Sequence, residues 1–294
     1  MDNPRELRVE VDGATLAASY SPAGKAALVA LHGASAGERD HPLYQHLHRV
    51  LPPAGVGVVT FDRRGEGEST GDRSVGQFEL QARDALAVAA ALGVARFGLW
   101  GYSQGAWAAP IAAGLSDDVS FLALIASTGV SPSAQMMYAT EAQLRRAGFG
   151  DGDVGEALAL RRSFEAWVES PTPADEGTLL KALARARSYA WWDLAFLPET
   201  LPDARGRDGW VAEMNFDPRP VFAAVHVPTL LFYGANDGWT PVAPSIEAWR
   251  ASPSAEIEVH VVPDADHDLS LPDGSLAPAY EARLVEWCLL RLAD

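Results

Sequence analysis

The chain has 294 residues, enough for one large α/β domain or a core with one sizeable insertion. Hydrophobic residues make up 48% and charged residues 21%, a globular balance that excludes extensive disorder. With 23 Lys and Arg against 39 Asp and Glu, the formal net charge is −16, so binding to nucleic acid or an anionic membrane would work against long-range repulsion, and neither partner is expected. Met1 to Glu6 lacks the basic start and apolar run of a signal peptide, nowhere do about 18 uncharged apolar residues follow one another, and the single Cys288 suits a reducing compartment, so a cytoplasmic protein is expected. That lone cysteine also excludes an intrachain disulfide and a cysteine-built zinc site.

Leu7 to Val11 and Thr15 to Tyr20 alternate around Asp12-Gly13, which predicts a hairpin, because Asp-Gly accepts the positive φ angles of a tight turn. Ala26 to Leu31, Val56 to Phe61, Phe97 to Trp100, Phe121 to Ile125, Thr229 to Tyr233 and Ile257 to Val262 are mostly continuous apolar runs, the pattern of parallel strands covered on both faces. Between them Val75 to Leu92, Gly105 to Leu115, Pro244 to Ala251 and Pro278 to Leu292 read as helices. Such alternation predicts a doubly wound, mostly parallel α/β sheet. It breaks between residues 130 and 220, where Ser133 to Ala147, Asp153 to Glu169 and Thr178 to Ala190 read as helices and no buried strand is evident. The expected organisation is a core of residues 1–129 and 221–294 with a helical cap inserted at 130–220.

Gly101-Tyr102-Ser103-Gln104-Gly105 is a G-x-S-x-G motif between a strand and a helix. A sharp turn in that context strains the serine backbone and lifts Oγ above the sheet, while the flanking glycines let strand and helix approach closely. Leu31-His32-Gly33-Ala34 follows the third strand, and Asp62-Arg63-Arg64-Gly65-Glu66-Gly67-Glu68-Ser69 follows the fourth. In order and strand context these three motifs resemble the α/β-hydrolase fold superfamily, and within it the capped serine hydrolases of esterase, lipase and peptidase-like type. The resemblance spans Leu7 to about Gly129 and Val221 to Leu292, with the cap similar only in position.

That resemblance implies a Ser–acid–His order, in which serine needs a general base and a buried acid holds the base in the right tautomer. Ser103 is then the nucleophile. Asp237, in the loop after Thr229 to Tyr233, falls where the family keeps its acid, and His267, in the loop after the last strand, where it keeps its histidine. Asp264, Asp266 and Asp268 stand too close to His267 in sequence for the usual geometry and leave the loop acidic. The backbone N–H groups of Ala34 and Gln104 are implied as the oxyanion hole, with no special demand on either side chain. His260 and His226 read as structural, His32 as shaping its turn, and His41, His46 and His48 as solvated or facing substrate. Gly65 to Gly71 is glycine-rich but lacks the lysine of a phosphate loop, and Glu66 and Glu68 would repel phosphate. Neither a metal motif nor a dinucleotide fingerprint appears, so no cofactor is expected.

Met136, Met137, Tyr138, Trp191 and Trp192 belong to an aromatic and Met-rich cap composition that suits a small, neutral, partly apolar acyl substrate, although more than half of such side chains would fill the cap's own core. The reaction implied is hydrolysis of a carboxylic ester, lactone, thioester or amide through an acyl-enzyme. Acyl transfer, cyclisation or C–C bond cleavage would use the same triad, and a hydrolase-fold binding protein with little turnover is the alternative of a different class. Haloalkane dehalogenase and epoxide hydrolase chemistry is disfavoured because those branches place a carboxylate where this chain has Ser103.

Overall fold

Asp12 and Gly13 both take positive φ, 46° and 76°, so β1 (Arg5–Val11) folds back on β2 (Ala14–Ser21) as the Asp-Gly pair predicts. The structure is a computed structural model describing residues 4–74, 76–251 and 256–292. After the hairpin come β3 (Ala27–Leu31), α1 (Pro42–Val50), β4 (Gly57–Phe61), α2 (Phe78–Ala91), β5 (Phe97–Tyr102), α3 (Gly105–Leu115) and β6 (Val119–Ile125). Four helices follow: α4 (Pro132–Arg146), α5 (Asp151–Glu169), α6 (Pro173–Ala186) and α7 (Ala204–Met214). The chain ends with α8 (Pro218–Ala223), β7 (Thr229–Gly234), α9 (Val242–Arg250), β8 (Ile257–Val262) and α10 (Pro278–Leu292). Val75, the expected start of α2, lies outside the described residues.

The strands form one eight-stranded sheet in the order β1-β2-β4-β3-β5-β6-β7-β8. β3 to β8 run parallel, and β2 joins β4 antiparallel. Strands β3 to β7 are buried at alternate positions of both parities. Leu28, Trp100, Phe121 and Phe232 join Leu43, Leu47, Tyr280 and Trp287 of α1 and α10 in one apolar cluster. Val29, Leu99, Leu122 and Leu231 are equally buried, as two-faced coverage requires. β8 departs from that expectation: it is the edge strand, most of its residues are only half-buried, and Val261 is exposed.

By contact the chain divides into two compact units, Met1–Gly129 with Pro218–Asp237 and Val242–Asp294, and Val130–Asp217 with Gly238–Pro241. The second unit is helical. Its caps are local: Ser131 accepts from the Ala134 N–H ahead of Pro132, Thr172 from Asp175 ahead of Pro173, and Asp203 from Gly206. Its core gathers Leu144, Leu160, Phe164, Trp167, Leu183 and Trp191, and Arg161 in the same unit is fully buried. The sequence reading missed α7, which carries Gly206 and Gly209 and buries no residue, so no apolar stripe marks it. Trp191 and Trp192 stand at a short 3₁₀ turn (Trp192–Leu194) rather than on a helix.

Candidate active site

Strand order reverses at β3: β4 lies on one side and β5 on the other. In an open α/β sheet such a switch point leaves a crevice beyond the strand C-termini. Leu31 pairs with Gly101, so the turn His32-Gly33-Ala34 and the turn Tyr102-Ser103-Gln104 leave the sheet side by side. Close approach explains the glycines. A Cβ on Gly105 would lie 2.5 Å from the Leu31 carbonyl oxygen, one on Gly101 2.6 Å from the Gly105 oxygen, and one on Gly33 2.6 Å from the Tyr102 ring.

Ser103 has φ 52°, in the left-handed region that a side chain disfavours. Its N–H donates to Ile125 at 2.9 Å, which ties the turn to β6. Asp237 follows β7 and His267 follows β8. Their loops lock together through Asn236 N–H to the Ala265 carbonyl at 2.8 Å, and a Cβ on Gly234 would stand 2.0 Å from the Asp266 oxygen. Three side chains expected at the site are brought together: Ser103 Oγ lies 3.0 Å from His267 Nε2, and His267 Nδ1 lies 2.9 and 3.0 Å from the two Asp237 oxygens. The Asp237 side chain is fully buried and that of His267 nearly so. A carboxylate on Nδ1 keeps the proton there and leaves Nε2 free to accept from the serine hydroxyl.

Gln104 precedes α3, whose first N–H groups have no acceptor within the helix. Its side chain is not the bystander the sequence reading expected. It is buried, and Oε1 accepts from Gln81 at 3.0 Å and from Arg63 and the Gly76 N–H at 3.4 Å. A side-chain amide serving as hub for a neighbouring helix and two loops leaves no local sequence pattern.

The histidines also need correction. His46, expected to be solvated or substrate-facing, is buried; Nδ1 donates to the Leu43 carbonyl, Nε2 accepts from Tyr280, and Trp100 donates to the same phenol oxygen at 2.8 Å. Burial pushes it down to about 4. His48 bridges Ser21 and Thr60, and His41 caps α1. His32 donates from Nε2 to the Phe61 carbonyl, and burial likewise holds it near about 4, so it stays neutral at the turn it shapes. In the His267 loop, Asp266 accepts the Asp268 and Ser270 N–H groups and Asp268 accepts from Tyr102, so these carboxylates build the loop.

The loop Asp62 to Ser69 also faces inward. Asp62 accepts the N–H groups of Arg39 (2.7 Å) and Glu68 (2.8 Å), Ser69 donates to the Asp62 carbonyl, and Arg64 pairs with Asp84 at 2.5 Å. Among the described residues no group of His, Cys, Asp and Glu is placed to hold a metal ion, and no helix is long and apolar enough to cross a membrane. Of the substrate candidates, Trp191 is 1% exposed inside the helical unit's apolar cluster, whereas Trp192, Met136, Met137 and Tyr138 are half-buried.

A search of curated protein sequences finds no match. In structure, the chain is similar to an esterase from Pyrococcus furiosus (14% identity, TM-score 0.66, covering 99% of this chain and 92% of that one) and to proline iminopeptidase from Mycobacterium smegmatis (18%, 0.61, 98% and 98%). It is also similar to Est1E from Butyrivibrio proteoclasticus, solved with ferulic acid bound (18%, 0.62, 98% and 100%). At these identities the likeness speaks for the fold. The model of the alpha/beta hydrolase family matches residues 28–278, from β3 into the start of α10 and across all three motifs, and the chain therefore belongs to the alpha/beta hydrolase family.

Proposed function

We propose that this protein is a serine hydrolase that cleaves a small carboxylic ester, lactone, thioester or amide through an acyl-enzyme on Ser103. The observation that carries this reading is the hydrogen-bonded chain from Ser103 Oγ through His267 to the buried Asp237, with the serine held at positive φ. Oγ attacks the substrate carbonyl as its proton passes to His267 Nε2; the C–O, C–S or C–N bond breaks as Nε2 returns that proton to the leaving group, and a water repeats the cycle to free the acid. Charge on the tetrahedral oxygen is met by the Ala34 and Gln104 N–H groups. Met136, Met137, Tyr138 and Trp192, half-buried in the helical unit, are the candidates for recognising a neutral acyl or alcohol group. Asp237 orients His267 through Nδ1.

The test is covalent labelling by a fluorophosphonate, followed by peptide mapping. In the parent protein Ser103 Oγ is expected to displace fluoride from the probe, giving up its own proton and gaining one phosphonyl group, and Ser103→Ala to lose both labelling and ester turnover, the latter by about 10⁴-fold or more. Labelling at a different residue, or undiminished turnover by Ser103→Ala, would overturn the assignment.

A further inference from the structure

Arg63 leaves β4 directly after Asp62 and is 1% exposed. Its side chain turns toward the segment that follows β3. Nη1 donates to the Gly33 carbonyl at 2.9 Å, Nη2 donates to the Ala34 carbonyl at 2.7 Å, and Nη1 approaches Gln104 Oε1 at 3.4 Å. Glu66 balances the charge, 2.8 Å from Nε and 2.7 Å from Nη2, and is shared with Arg73. The Arg63 N–H donates to the Gly37 carbonyl at 2.7 Å, so one residue brackets the 33–37 turn at both ends. A Cβ on Gly37 would stand 2.8 Å from Nη2 and closer still to the Glu66 carboxylate, so no side chain fits over this ion pair.

The covalent arrangement gives these contacts their meaning. The Gly33 carbonyl and the Ala34 N–H are two ends of one peptide unit, and the Ala34 carbonyl belongs to the next. β3 has ended at Leu31, so no strand ladder fixes the tilt of these two planes. A planar guanidinium can span successive carbonyls with separate N–H groups, whereas an ammonium is a compact point donor. Positive charge at the Gly33 oxygen also polarises that peptide, which strengthens the N–H at its other end as a donor. The second donor residue, Gln104, meets the same guanidinium through its side chain.

We infer that Arg63 is the positioning residue of the oxyanion hole: it sets the plane and polarisation of the Gly33–Ala34 peptide and couples that plane to Gln104. The inference rests on the serine-hydrolase reading above. Arg63 touches no reacting atom and acts through the two N–H donors. Its effect belongs to the step in which negative charge develops on oxygen, and hardly to ground-state binding.

The experiment compares fluorophosphonate labelling of the parent, Arg63→Met and Arg63→Lys, separating the limiting rate kinact from the half-saturating concentration KI, with thermal unfolding of each as a check on the fold. Loss of one oxyanion donor costs about 10²–10³-fold in rate, so Arg63→Met is expected to lower kinact by about 10²-fold while KI stays within about threefold. Arg63→Lys can restore one of the two carbonyl contacts and is expected to recover about tenfold over Arg63→Met. A folded Arg63→Met with kinact within threefold of the parent, a loss borne by KI, or a lysine variant no better than methionine overturns the proposal. Should Arg63→Met not fold, a fall of about tenfold in kinact for Arg63→Lys at constant KI supports the proposal, and an unchanged kinact overturns it. A parent protein with no reactive Ser103 sinks the serine-hydrolase reading itself, and this inference with it; a reactive parent with indifferent variants sinks this inference alone.

Discussion

Arg63 in the α/β unit and Arg161 in the helical unit are both buried, and the two side chains do related work with different consequences. In the α/β unit Arg63 holds the Gly33 and Ala34 carbonyls with Glu66 at 2.7 Å. In the helical unit Arg161, fully buried on α5, donates to the Ala195 and Phe196 carbonyls at 2.5 and 2.8 Å and to Thr140 at 3.1 Å, with Glu165 farther off at 3.5 Å. Burial pushes Arg161 below the usual guanidinium value, with Glu165 opposing. Both side chains satisfy carbonyls on irregular backbone that neither helix nor ladder can reach. The contrast lies in what the pinned turn does. One turn carries the Ala34 N–H, proposed above as an oxyanion donor. The other turns Phe196, itself at φ 50°, onto Trp239 with ring centroids 4.6 Å apart, and so packs the helical unit. Damage to the first should appear in rate, and damage to the second in stability.

The largest effect that would test this division is on the α/β side. Asp237→Asn is expected to lower turnover of an activated ester by about 10⁴-fold, because an amide favours the wrong tautomer of His267, while thermal stability changes little. A near-parental rate would move the acid elsewhere. On the helical side, Trp191→Ala is expected to cost about 3–5 kcal/mol, the range for emptying a large aromatic site in a core, read as a fall in denaturation midpoint with the order of substrate preference and Ser103 labelling kept. A changed substrate order would place Trp191 at the pocket after all. Trp192, half-buried beside Arg187 at 6.0 Å, is the tryptophan whose replacement by Ala should alter chain-length preference.

Arg161→Met should cost about 2–4 kcal/mol through the two abandoned carbonyls, again with fluorophosphonate reactivity retained, and is the direct counterpart of Arg63→Met. Equal loss of labelling rate in both variants would erase the distinction between the arginines. The smallest effect per group is pH-dependent. His32 and His46 have folded-state values of about 4 against 6.5 for an exposed imidazole, so between those values the unfolded chain binds more protons and stability falls as pH falls. At pH 5 each costs about 2 kcal/mol relative to pH 7, and His46→Gln should flatten the pH dependence of the urea midpoint over that window. An unchanged slope would show that His46 is not the group titrating.

The sheet was legible because its strands are buried on both faces and therefore read as unbroken apolar runs between helical stretches; Gly105 to Leu115 and Pro278 to Leu292 have the boundaries expected of them. Edge position is not written in a strand's own residues, which is why β8 was expected to be covered and is half-exposed. Likewise α7 escaped notice, because it packs without burying a stripe.

Local chemistry was also carried by short segments. A serine between glycines at a strand–helix junction, a histidine-glycine turn and an acid and a histidine after later strands are each complete within a few residues, and their order along the chain is itself a sequence property. What holds them together is not. Ser103 and His267 are separated by 164 positions, and their 3.0 Å contact depends on β5, β6, β7 and β8 lying in that order. The same is true of His46 and Tyr280, 234 positions apart, and of Arg63, whose partners lie on the turn after a different strand. Residue type and local spacing determine which groups a chain can offer and which backbone they ride on. Only tertiary packing decides which distant carbonyl a buried guanidinium meets, because desolvation makes that pairing obligatory without fixing it to any spacing in the sequence.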